Sequence, residues 1–217
     1  MDKNYKTVKY TASAEFVEKR SRFIATVKPV ATEAEALEFI NELRQNYWDA
    51  THNVYAYIIK ENNIMRYSDD NEPSGTAGMP VLDMLKKQGL TNVAVVVTRY
   101  FGGILLGTGG LVHAYSKSAS QGILAGEVIE MALCKSLTLK CGYTLLGKIQ
   151  NELHSRNLIM GEIIYTDCVE IPLYVPVDDY ESVKAAIIEI TNADCQFTEG
   201  GTAYRERPCP ADSVSGV

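Results

Sequence analysis

The first thirty residues read as strands, and the β-branched, apolar run 22–30 (RFIATVKPV) is the clearest of them. The spacing of apolar positions then lengthens. Ala36, Ile40, Leu43 and Tyr47 recur three or four residues apart, and Thr32 with Glu35 forms a capping-box pattern, which predicts a helix over 33–46. Residues 52–60 (HNVYAYIIK) and 64–68 (IMRYS) alternate as a hairpin closed at Asn62 and Asn63. A loop over 69–78 follows. Pro80 suits the first turn of the next helix, which runs to about Gln88 and stops at Gly89. The uninterrupted run 93–98 (VAVVVT) is the mark of a strand buried on both faces. A glycine-rich turn then leads into a long helix, 107–125, with Leu111, Tyr115, Ala119 and Ile123 along one face.

The second half has a simpler order. A strand is expected over 131–140, a helix over 143–156 with Leu145, Ile149 and Leu153 inward, and two strands over 159–166 and 168–175. A helix over 179–191 has Asp178 and Glu181 in capping-box positions and Val183, Ile187 and Ile190 inward; a last strand covers 195–206. This is the βαββαβ order of a ferredoxin-like domain. The chain therefore reads as α+β, with one domain over 1–128, a second over 129–207, and a short polar tail over 208–217 that is expected to be disordered.

Composition narrows the class. With 217 residues, 46% of them hydrophobic and 22% charged, the chain has the apolar content to fold into two small domains. No apolar run approaches the ~20 residues of a membrane-spanning helix, and the N-terminus lacks the apolar stretch of a secretory signal, so a cytoplasmic location without membrane attachment is expected. Cys134, Cys141, Cys168, Cys195 and Cys209 are widely spaced with no C-x-x-C, which argues for free thiols rather than a disulfide framework or a zinc site. The charge is uneven. Residues 129–217 hold seven Lys/Arg against thirteen Asp/Glu, whereas residues 1–128 hold fourteen of each. The C-terminal part is thus a poor match for a phosphate backbone. The first thirty residues carry Lys3, Lys6, Lys9, Lys19, Arg20, Arg22 and Lys28, which would favour one or would simply be a solvated strand face.

Two stretches could carry chemistry. In DDNEPSGTAGMP (Asp69–Pro80), the small residues Ser74, Gly75 and Thr76 precede a helix N-terminus, where unpaired N–H groups and the helix dipole favour an anion. In RYFGGILLGTGG (Arg99–Gly110), Arg99 leaves the buried strand, and Gly102, Gly103, Thr108, Gly109 and Gly110 lead into a second helix. If both helices start on one side of the sheet, the two N-termini and Arg99 share a cleft. The blander reading is that the glycines serve tight turns and close packing. Gly102 and Gly107 have Walker spacing, but Thr108-Gly109 stands where Lys-Ser/Thr is required, and G-x-G-x-x-G is absent. Asp69, Asp70 and Glu72 would repel a phosphate unless paired with Arg66 or Arg99, or unless they hold Mg²⁺. His52, opening a strand, suits a hydrogen-bonded structural role better than that of a base; His113 and His154 have no ligand partners at metal spacing. No cofactor, metal site or catalytic residue is assigned.

Ser68–Pro80 (SDDNEPSGTAGMP) together with Val95–Tyr115 (VVVTRYFGGILLGTGGLVHAY) resembles the YigZ/IMPACT family, and the likeness extends loosely from Ser21-Arg22-Phe23-Ile24 through His52-Asn53 to the end of the long helix. Asn71 departs from the glycine usual in relatives, though Asn tolerates the left-handed conformation a turn requires. The resemblance implies an N-terminal domain of the ribosomal protein S5 domain 2-like fold, followed in bacterial members by a ferredoxin-like domain. The same pair of folds is similar to the last two domains of elongation factor G. It further implies a role in translational control, since eukaryotic IMPACT proteins compete for a partner of an amino-acid-starvation kinase. Some relatives have been labelled proline dipeptidases, but no dinuclear-metal set of His, Asp and Glu is apparent here.

Two functions follow as expectations. One is a non-catalytic binding or regulatory protein that meets RNA, the ribosome or a ribosome-associated protein through Glu72, Ser74, Gly75, Thr76, Arg99, Gly102, Gly103, Thr108, Gly109 and Gly110, with His52 and Asp69 as contributors. The other is an enzyme acting on a phosphorylated small molecule or nucleotide with Mg²⁺, Arg99 stabilising developing charge.

Overall fold

The computed structural model describes residues 4–208. The chain divides into two compact units, one built from Tyr5–Glu130 and the other from Met131–Arg207. The polar tail expected over 208–217 lies outside the described residues, except for Pro208, which ends the last strand.

In the first unit, β1 (Tyr5–Val8), β2 (Ala12–Glu18) and β3 (Ser21–Pro29) come before α1 (Glu33–Asn46). The hairpin β4 (His52–Ile59) and β5 (Ile64–Ser68) is followed by α2 (Gly78–Lys87), β6 (Val93–Tyr100) and α3 (Gly107–Ala125). The capping box holds at α1: the Glu35 amide donates to Thr32 Oγ1 at 3.2 Å, and the Glu35 carboxylate accepts from the Ala31 amide at 2.7 Å. The hairpin closes through a 3₁₀ turn in which Asn62 and Asn63 both take positive φ, a conformation Asn tolerates.

A five-stranded sheet has the order β2-β3-β6-β4-β5, so the valine-rich β6 lies at its centre. Both neighbours of β6 run antiparallel to it. Its alternate side chains feed two cores. Val93, Val95 and Val97 pack with residues of α2 and α3, while Ala94 and Val96 pack against Phe39, Ile40 and Leu43 of α1. A central strand between two helical layers needs apolar residues at every position, which accounts for the unbroken run. The layering also puts α2 and α3 on one face, so their N-termini and Arg99 do lie on the same side of the sheet.

The second unit takes most of β7 (Val128–Cys141), then α4 (Leu146–Ser155), β8 (Ile159–Met160), β9 (Ile164–Tyr165), β10 (Val169–Pro176), α5 (Tyr180–Thr191) and β11 (Cys195–Pro208). The order β11-β7-β10-β8, with β9 also on β10, is that of a ferredoxin-like sheet. Leu137, Leu139, Ile149, Leu153, Ile171, Leu173, Val183 and Ile187 form its core. Two sequence expectations are corrected. The strand over 159–166 is two short pieces, interrupted around Gly161, where a side chain would press on Pro172. The Asp178/Glu181 capping box does not cap α5: its N-cap is Asp179, which makes no side-chain cap bond.

Candidate functional site

The site is set by register. Phe23 of β3 pairs with Arg99 of β6, and His52 of β4 pairs with Arg99 from the other side. Paired residues share a face, so Phe23, Arg99 and His52 point together toward α2 and α3. Arg99 is only 4% exposed, and a buried guanidinium needs a counter-ion. Glu72, 8% exposed, supplies it: Arg99 Nη1 donates to Glu72 Oε1, and Tyr115 of α3 donates its hydroxyl to the same oxygen at 2.7 Å. His52 Nε2 stands 3.7 Å from that oxygen, and its Nδ1 bonds the Asp70 carbonyl at 2.8 Å. Burial, reinforced by the Glu72 charge, pushes the Tyr115 hydroxyl far above its ordinary pKa, so it stays a donor.

The other arm of Arg99 reaches Ser21: Nη2 donates to Ser21 Oγ at 3.3 Å, and the Gly102 amide donates to the same Oγ at 3.2 Å. The guanidinium also lies over two rings, Phe23 at 5.4 Å and Phe101 at 5.6 Å from its Cζ. Arg99 thus ties the start of β3, the loop before α2, the helix α3 and the turn after β6 into one cluster.

The loop 69–78 is closed on itself. Asp69 Oδ1 accepts from the amides of Gly78 at 2.8 Å and Ala77 at 3.1 Å, and Oδ2 accepts from Gly75 at 2.9 Å. The anion at the α2 N-terminus is therefore part of the chain. This corrects the expectation that these amides, and the Arg99 charge, face a ligand: Asp69 has taken the first and Glu72 the second. Asp70 bonds the Asn53 amide at 2.6 Å and Arg44 at 3.3 Å, and not Arg66. Asp70 and Asn71 both have positive φ, so the departure at Asn71 keeps the turn. Thr76 is buried with its hydroxyl on the Pro73 carbonyl at 2.6 Å, while Ser74 and Gly75 are exposed.

The second turn is built differently. α3 starts at Gly107 with no side-chain cap bond and no acidic residue in its first turn. Thr108 and Gly109 are exposed there, as is Gly103 earlier in the turn, and Gly110 is half-buried. Gly102 is obligatory, because a Cβ there would run into the Arg20 carbonyl. Gly109 is different: nothing lies within 4 Å of the place a Cβ would take. Packing requires the first glycine and leaves the second unexplained.

The clash at Gly102 shows how closely the turn meets the β2–β3 hairpin. Glu18 pairs with Ser21, so Lys19 and Arg20 form a two-residue loop, and both have positive φ, 44° and 68°. Asn-Gly is the usual occupant of such a loop. Both cations are exposed and neither has an ion pair among the described residues. Sequence reasoning noted the basic start but not this placement; two cations closing a two-residue hairpin were the available signal. It also missed Ser21 and Tyr115 as partners of Arg99.

The Impact N-terminal domain matches residues 19–123, and a domain of unknown function, DUF1949, matches 139–193. The chain is 44% identical over 205 residues to IMPACT family member YvyE of Bacillus subtilis, covering 94% of each. It is 36% identical to IMPACT family member YigZ of Escherichia coli, over 69% of this chain and 73% of that one. Protein IMPACT of Xenopus laevis is 35% identical over 100 residues, 32% of its own length. A solved structure titled as the crystal structure of a hypothetical protein superposes with a TM-score of 0.59 at 28% identity, covering 91% of this chain and 97% of that one. Cluster, loops and both folds thus sit within a likeness that spans nearly the whole sequence: the chain belongs to the IMPACT family.

Proposed function

We propose that this protein is a non-catalytic binding module of the translation apparatus that meets RNA, on the ribosome or bound to it, through the turn Phe101–Gly110 and the adjoining Lys19-Arg20 hairpin. The carrying observation is that hairpin. Two cations occupy positions where L-residues are strained by roughly 1–2 kcal/mol each, and they do so against the turn that opens an uncapped helix. Strain kept where an Asn-Gly loop would remove it is a mark of function. The helix start adds partial positive charge, and Gly109 lets a phosphate approach the backbone. The translation link rests on the family, whose eukaryotic members act in translational control. A phosphorylated small molecule held between the two loops is the weaker reading, since Asp69 and Glu72 already use the donors it would need.

The test is salt-dependent binding of RNA, and co-sedimentation with ribosomes, by the full chain. Wild type should bind RNA with affinity falling steeply as salt rises. K19N/R20G should flatten the dependence on single strands by about 1.4 in log–log slope, two phosphate contacts at ~0.7 each, while melting at a higher temperature because the strain is gone. A variant that melts higher and binds unchanged would refute the role of the hairpin. Absence of both RNA and ribosome binding at low salt would refute the function.

A further inference from the structure

The turn that meets the basic hairpin also meets the segment after α1. The Phe101 amide donates to Thr51 Oγ1 at 3.0 Å, the Thr51 amide donates to the Arg99 carbonyl at 2.9 Å, and the Tyr100 hydroxyl donates to Asp49 at 2.9 Å. Next to Asp49 stands Trp48, the only tryptophan of the chain, 83% exposed and without a ring contact among the described residues. Within the turn itself Leu105 is 82% exposed, and Phe101 and Ile104 are exposed as well. Large apolar side chains cost free energy in water, and here they gather at the end of the sheet that carries Lys19 and Arg20.

Phe101 is more than exposed. Arg99 lies over its ring, and Arg99 is itself fixed by Glu72 and Ser21. The buried ion pair thus holds an aromatic ring in place while part of that ring stays open to solvent. A ring so fixed has already lost the freedom that binding would otherwise remove.

We infer that this surface takes single-stranded RNA, its bases stacked on Phe101 and Trp48 and its phosphates on Lys19 and Arg20. The inference rests on the RNA-binding reading above and narrows it. A duplex offers phosphates but hides the faces of its bases, and leaves the two rings without a partner. An unpaired strand offers both, and flat rings beside unpaired cations are the combination that binds it irrespective of sequence. Ile104 and Leu105, exposed in the same turn as Phe101, would cover the sugars. An acidic protein segment is the competing occupant, and it would be held by charge and aliphatic contact without stacking.

Trp48 reports on its own role. Single-stranded oligoadenylate should quench the intrinsic tryptophan fluorescence of the full chain, and the same length of RNA duplex should not. W48A and F101A should each weaken the single strand about tenfold, the loss of one stacked base, read by anisotropy of labelled RNA; W48F should restore most of it. Trp48 is 83% exposed and has no ring contact among the described residues, so W48A should melt as wild type does and remains informative even if F101A unfolds. Equal affinity for strand and duplex, without quenching and with W48A silent, would overturn stacking and leave the basic hairpin as an RNA site. Quenching by polyglutamate as strong as by oligoadenylate would overturn it in favour of an acidic protein partner. No binding of either RNA at low salt would take the broader reading down with it.

Discussion

Two glycine-rich turns lead into two helices on one face of one sheet, and they differ in charge. At α2 the first amides hold the Asp69 carboxylate, and the nearby guanidinium is neutralised by Glu72. At α3 no side chain among the described residues caps the helix, its first turn has no acidic residue, and two cations with no ion pair among the described residues adjoin the turn. Both loops have the composition of an anion site, small residues before a helix. What separates them is the nearest carboxylate: one loop carries its own and the other does not. The first loop is a structural strut and the second is the exposed surface. The strut serves the surface, since Glu72 fixes Arg99 and Arg99 fixes Phe101.

Removing the strut's charge tests this division most severely. Glu72→Ala leaves the Arg99 guanidinium buried without a counter-ion, which should cost about 3–5 kcal/mol in urea unfolding. A loss under about 1 kcal/mol would mean that the pair is solvated and the contrast between the loops is false. Asp69→Ala is expected to cost about 2 kcal/mol, the upper range for a helix cap, and it should also open the α2 amides. Inorganic phosphate should then raise the melting temperature of the variant by more than it raises that of wild type, whose α2 amides are already occupied. Stabilisation of both alike would show that the wild-type loop was never closed. The smallest change sharpens the other side. Gly109→Ala meets no atom and removes a glycine from a helix, so it should stabilise by up to about 1 kcal/mol; if the backbone there receives a phosphate, RNA affinity should fall at the same time.

The elements were largely legible from local pattern, because their causes are local. The capping box at Thr32 and Glu35 placed the start of α1, and the run from Val93 placed the central strand. The order of elements was enough for the ferredoxin-like sheet. Where a cause lay in tertiary contact, the reading stopped. The pairing of Arg99 with Glu72 was open as one option among several, but its links to Tyr115 and Ser21 depend on the register of three strands and a helix. Asp69 stands nine residues before the amide of Gly78 that it caps, far outside the usual cap spacing. The break around Gly161 follows from contact with Pro172 on another strand. The exposure of Trp48 has no sequence signature, since an aromatic residue after a helix more often packs down.

The carboxylate at the head of α2 has a consequence for what the protein ignores. A group tethered beside its own receptor competes at an effective concentration of at least the millimolar order. Free phosphate must displace an occupant that never diffuses away, so inorganic phosphate and small metabolite esters are kept out by competition rather than by shape. On the proposed reading, that leaves the open turn before α3 as the one place where an outside anion meets unclaimed donors.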